Sequence, residues 1–187
     1  WRVKVARLTL PQTRSAGLPP IEATAAGKLS GGRSTVDGDV AIGPRSKVKV
    51  TGQIPLGAGA LDVAIRGALD AALANTTLSA NGQSITGAAK VDLTLKGPVS
   101  APVVGGAIDI VNGGFSDAAN GVALTNITGK LTGSGHELVI SGLNGQTKNG
   151  GRVAVAGKVS VDPASGFPAA LIVKSADAQF VDSEVAS

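Results

Sequence analysis

The sequence contains no cysteine, no methionine and no tyrosine, and its aromatic residues are confined to Trp1, Phe115, Phe167 and Phe180. Without cysteine there is no disulfide framework, no thiolate-ligated zinc and no thiol nucleophile. The single histidine, His136, rules out a His-rich metal site and most acid–base dyads. No apolar run reaches the roughly eighteen residues that a membrane-spanning helix needs. The 27 glycines follow no three-residue period, which excludes a collagen-like chain. The 187 residues begin without an initiator methionine or a basic-plus-apolar leader, so the chain reads as a piece of a longer protein or a processed product. What remains is abundant Ala, Val, Leu and Ile. With 43% hydrophobic and only 16% charged residues, the chain has the apolar content of a folded protein rather than a disordered one.

The net charge is +4, but Lys and Arg occur singly, without a basic run or interleaved aromatics. Nucleic-acid binding needs a clustered basic patch, and single strands need stacking platforms. Neither is visible, so no nucleic-acid partner is expected.

The dominant signal is period-two alternation, the mark of a sheet with one apolar and one polar face. In Lys47–Ile54, Val48, Val50 and Ile54 fall on one parity and Lys47, Lys49, Thr51 and Gln53 on the other. Leu61, Val63 and Ile65 alternate with Asp62 and Arg66, and Val91, Leu93 and Leu95 with Asp92, Thr94 and Lys96. Ile108 and Ile110, Ile127 and Leu131, and Leu138 and Ile140 continue the pattern less regularly. Val153, Val155, Val159 and Val161 close its longest run. Further strands are expected near Arg2–Leu10 and Ala170–Lys174, with weaker signals at Ile21–Leu29 and Thr35–Ile42. Gly31-Gly32, Gly43-Pro44, Asn112-Gly113-Gly114, Gly133-Ser134-Gly135, Asn149-Gly150-Gly151 and Pro163–Pro168 read as turns between them. This spacing predicts an antiparallel meander of about a dozen strands, on the order of 50 Å along the sheet. One stretch breaks the rhythm. Leu69, Leu73 and Leu78 among alanines predict a short helical insertion near residues 68–79.

An apolar sheet face must be buried. Small branched residues could pack into a dry sandwich, or the sheet could curl and leave an apolar gutter for something else to fill. Specific wording supports the gutter. The segment Gly97-Pro98 … Pro102 … Gly105-Gly106 before Ala107-Ile108-Asp109-Ile110, then Gly113-Gly114-Phe115-Ser116-Asp117, resembles a recurrent phrase of the TamB family. Gly121–Gly133, Gly150–Gly157 and Ala176–Ser183 are similar in the same way, as is the leucine-rich turn before Ser84-Ile85-Thr86-Gly87. The resemblance covers about residues 56–187.

The resemblance implies an all-β fold: a curled antiparallel sheet forming an elongated groove (a β-taco) with an aliphatic concave face and one short helix. It implies that residues 1–187 form a single groove segment of a longer, inner-membrane-anchored, AsmA-like protein of the Gram-negative periplasm. The implied partners are phospholipid acyl chains, a TamA-like outer-membrane barrel met through the full-length protein, and unfolded outer-membrane proteins. The implied lining comprises Val48, Val50, Ile54, Leu61, Val63, Ile65, Val91, Leu93, Leu95, Ile108, Ile110, Ile127, Leu131, Leu138, Ile140, Val153, Val155, Val159 and Val161.

The remaining motifs point away from chemistry. His136 beside Glu137 follows a hairpin turn and reads as an exposed turn histidine. Asp62, Asp92 and Asp109 sit on the polar strand face rather than as paired acid and base. Gly27-Lys28 and Gly129-Lys130 lack the full phosphate-loop spacing, and no calcium-binding nonapeptide occurs. No catalytic residue, metal or cofactor is expected. The alternative function is a structural or adhesive β-solenoid such as an autotransporter passenger, which regular rungs would favour and the Leu69–Leu78 interruption does not.

Overall fold

A computed structural model describes residues 1–8, 19–57, 59–161 and 168–177. The expected strand end at Thr9–Leu10, the turn residues 163–167 and the closing phrase from Ala178 onward lie outside them. Among the described residues the chain is all-β, with twelve strands in one open, curled sheet. The strands are β1 (Arg2–Leu8), β2 (Ile21–Ala26), β3 (Leu29–Ser30), β4 (Arg33–Ile42), β5 (Ser46–Pro55) and β6 (Ala60–Asp70). They continue as β7 (Gln83–Pro98), β8 (Val103–Asp117), β9 (Val122–Ser134), β10 (Glu137–Thr147), β11 (Arg152–Ser160) and β12 (Ala169–Ala176). Each pairs antiparallel with the next, except that β2 pairs with β4 while the two-residue β3 pairs back onto β4. The strands β1 and β12 end the path, each with one partner among the described residues.

Alternation sets two faces, and ion pairs between neighbouring strands hold the polar one in register. Arg66–Asp92, Lys96–Asp62 and Lys130–Asp109 lie directly opposite one another; Lys47–Asp39, Lys49–Asp37 and Lys158–Glu137 lie on diagonals. The Asp37 carboxylate, 2.9 Å away, raises the Lys49 ammonium above its ordinary pKa by hydrogen bonding and charge. Such exposed pairs add little to stability, but they penalise any slip of register.

The sheet bends where side chains give way to glycine. At Gly67 φ is +154°, and a Cβ would stand 2.1 Å from the Lys47 carbonyl oxygen and 2.7 Å from Val48 Cα. Gly157 repeats this, with φ +153° and a Cβ position 2.1 Å from the Ala170 carbonyl oxygen. Only a residue without a Cβ lets the neighbouring strand approach so closely, which is how glycine kinks curve a sheet. Cα atoms of β8 and β10 come within 8 Å although β9 lies between them. Strands two apart in a flat sheet would be separated by about 9.6 Å.

Two expectations are corrected here. Residues Gly67–Asp70 belong to β6 rather than to a helix, because their backbone groups are taken up by the ladder to β7. The helical turns occupy Ala71–Ala74, Asn75–Leu78 and Ser79–Asn81 instead. They start where Asp70 accepts a hydrogen bond from the Ala72 amide, and Asn75 fastens them to β7 through both the N–H and the C=O of Ile85, at 2.6 and 2.9 Å. Second, Asn112-Gly113-Gly114 is not a turn. It is a bulge inside the fifteen-residue β8, with Asn112 at φ +50°.

The β8–β9 connection is held by Asp117, which is 6% exposed. Its carboxylate accepts from the side chains of Asn120 and Gln83 and from the Asn120 amide, at 2.9, 3.0 and 3.1 Å. These bonds, the Asn120 side chain first, hold its pKa below the ordinary carboxylate value.

Two outcomes follow from these contacts. Gly67→Ala should lower stability by more than about 1 kcal/mol in urea unfolding. Gly57→Ala, where nothing lies within 4 Å, should stay within about 0.5 kcal/mol of the parent. Because the folded pKa of Asp117 is depressed, its contribution is present above the ordinary carboxylate pKa and is lost as pH falls through the folded value. The stability gap between the parent and Asp117→Asn, measured by urea titration across pH, should therefore be widest at neutral pH and close in acid.

Candidate functional site

The residues opposite the ion pairs form a surface that no second layer covers among the described residues. Antiparallel pairing puts opposed residues on the same face, so the ladders trace rows running across the sheet. One row passes through Ala23, Val40, Val48, Gly67, Val91, Ile108, Leu131, Ile140, Gly157 and Leu171, one residue from each of ten strands. At about 4.8 Å per strand, it is roughly 40 Å long. A parallel row carries Ala25, Gly38, Val50, Ile65, Leu93 and Gly106, and resumes through Leu138, Val159 and Ala169. No residue in either row is polar.

The sequence-derived lining maps onto this face. Register places Val48, Val50, Ile54, Leu61, Val63, Ile65, Val91, Leu93, Leu95, Ile108 and Ile110 together across β5 to β8. Ile127, Leu131, Leu138, Ile140, Val153, Val155 and Val159 join them on β9 to β11. Val161 lies just beyond β11, half-buried, its amide bonded to the His136 carbonyl. Lys47, Asp62, Asp92 and Lys158 stand on the opposite face.

Sequence alternation missed part of the surface. Phe115, Leu124 and Leu143 share this face because register shifts near Asn112, Asn126 and Gly142 reverse the parity of β8, β9 and β10. Asn112 and Asn126, at φ +50° and +53°, mark two of these bulges. Residues that tolerate positive φ within an alternating run were the available signal.

Exposure tells how the face is covered. Its buried apolar side chains are Val63, Val91, Val104, Ile140 and Val153; most others are half-buried. Each strand touches its neighbours in the sheet, and the helical turns lean on β7. No second sheet or long helix packs against the aliphatic surface among the described residues. Its polar members lie near strand ends, and three of them have partners supplied. Ser34 Oγ accepts from the Trp1 indole at 3.1 Å, Ser46 Oγ accepts from the Asp70 amide at 2.9 Å, and Thr147 Oγ1 accepts from the Gly151 amide at 3.1 Å. Asp117, at the end of β8, is the one charged residue that register brings to it among the described residues.

The helical turns close one corner. Arg45 Nε sits 2.7 Å from Asp70 Oδ2, beside a cavity of about 580 Å³ lined by Ile42, Pro44, Leu73 and Thr76 among others. His136 is exposed, with Nδ1 2.9 Å from the Pro102 carbonyl oxygen, so Nδ1 is the protonated nitrogen. Among the described residues, no three His, Asp or Glu side chains gather where a metal could bind, and no helix is long and apolar enough to cross a membrane. Compared with family models, curated proteins and solved structures, the chain matches none.

The two faces can be told apart by adjacent substitutions. Ile140 is 6% exposed on the aliphatic face, and Val139 faces the other way, between Thr132 and Lys158. Ile140→Asp should cost roughly several kcal/mol in chemical denaturation, and Val139→Asp much less, because only the first strands a carboxylate among hydrocarbon.

Proposed function

We propose that this chain is a groove segment of a periplasmic bridge protein and that its aliphatic face carries phospholipid acyl chains. The observation that supports this reading is the ten-strand row of apolar residues and glycine on a face without a covering layer among the described residues. A buried methylene contributes about 0.8 kcal/mol, so part of an acyl chain lying along such a row gains several kcal/mol without any special polar contact. An apolar surface with no interior charge suits hydrocarbon and offers nothing to orient a reacting group. The resemblance to the TamB family leads to the same cargo. It adds an inner-membrane anchor elsewhere in the protein, a TamA-like outer-membrane barrel as partner, and unfolded outer-membrane proteins as a second cargo. The β-solenoid reading is less well supported, since solenoid rungs stack in parallel and these strands alternate in direction.

Site-specific photocrosslinking in a Gram-negative host tests the reading. A photoreactive residue replacing Leu93 or Val155 should capture phospholipid, and one replacing Thr94 or Lys158 should not. Equal capture on both faces, or none, would overturn it in favour of a structural or adhesive role.

A further inference from the structure

The polar face carries a feature that the groove does not use. Six of its cations are met by a carboxylate on an adjacent strand. Arg152 and Lys174, like Arg2, Arg33 and Lys90, are not, among the described residues. Arg152 lies opposite Gln146 and Ala176, and Lys174 opposite Ala154, so the two cations occupy a diagonal of the β11–β12 ladder on one face. Like charges so placed repel each other unless an anion lies between them.

The two cations line a depression of about 390 Å³ together with Asn126, Thr128, Asn144 and Gln146. Among the described residues, no carboxylate lines it. The hollow forms where β10 loses register with both neighbours, between Ile140 and Leu143 towards β11 and between Ile140 and Gln146 towards β9. Its hydrogen bonds leave the two cations and one side-chain amide donor free. Asn126 Nδ2 donates to Gln146 Oε1 at 3.1 Å, which leaves the Gln146 NH₂ unspent, and Asn144 Nδ2 donates to the Gly142 carbonyl at 3.3 Å. The Arg152 guanidinium adds five N–H groups and the Lys174 ammonium three.

We infer that this depression binds an oxyanion of the phosphate class. Arg152 presents a planar fork to two of its oxygens, Lys174 supplies a point charge across the ladder, and the Gln146 amide and Thr128 hydroxyl bond the rest. The site faces away from the aliphatic groove and stands whether or not the groove carries lipid. Its ligand chemistry is common to free phosphate and to the phosphate of a lipid headgroup.

Titration of isotope-labelled protein with inorganic phosphate, followed by NMR, reads the site directly. The side-chain signals of Asn126, Asn144, Gln146 and Arg152 should shift together and saturate. Arg152→Gln with Lys174→Gln should weaken binding by about tenfold or more, the loss expected of charged hydrogen bonds. Lys47→Gln with Lys96→Gln, on the same face, should leave it unchanged. A second arm uses phosphatidylglycerol and phosphatidylcholine vesicles. Vesicle binding that the Arg152/Lys174 variant abolishes identifies a headgroup as the source, and saturable phosphate binding without vesicle binding identifies the free ion. Shifts spread without saturation over all lysines, or a double variant that titrates like the parent, would overturn the inference.

Discussion

Because side chains alternate between the two faces of a strand, a slip of one residue in any ladder would carry lysines and aspartates onto the aliphatic surface. Every other feature of this molecule depends on preventing that slip. Cross-strand ion pairs such as Arg66–Asp92 and Lys130–Asp109 favour the observed register and oppose its alternatives. The apolar rows on the other face are the result. Their continuity over ten strands comes from ladder pairing, not from any cluster of residues close in sequence.

Curvature is the second requirement, and it is met without large side chains. A flat sheet with an aliphatic face would need a second layer to cover it. Here glycines at Gly67 and Gly157 let adjacent backbones close in, and the surface shelters itself partially by bending. The small aliphatic composition fits this arrangement. Phe115 is an aromatic that register brings to this face, and more rings there would fill the space that the bend creates.

Much of this was legible in the sequence, for a physical reason. Runs such as Val91–Lys96 and Arg152–Val159 alternate without interruption, and a side-chain period of two admits only one arrangement of faces. The antiparallel order followed from short connections rich in glycine. The bulges were harder to read. A positive φ at Asn112 or Asn126 serves a turn and a bulge equally well, and only partner strands decide between them. That ambiguity made Asn112-Gly113-Gly114 read as a turn and hid Phe115 and Leu124 from the apolar face. The helical insertion was misplaced by several residues at its start for a similar reason. Leucine spacing cannot register the ladder bonds that hold Gly67–Asp70 in a strand. The depression around Arg152 and Lys174 left no local signature, because its lining residues come from four strands.

A chain in which each strand touches little beyond its neighbours has a mechanical character of its own. Tension applied between the two ends of such a meander loads the outermost ladder first. In an antiparallel hairpin the hydrogen bonds lie across the strands, so they break one after another rather than together. The sheet would therefore yield by peeling, strand by strand, at low force, and would recover in the reverse order. A sheet built this way is a compliant element, and it lengthens under load while its remaining ladders stay paired.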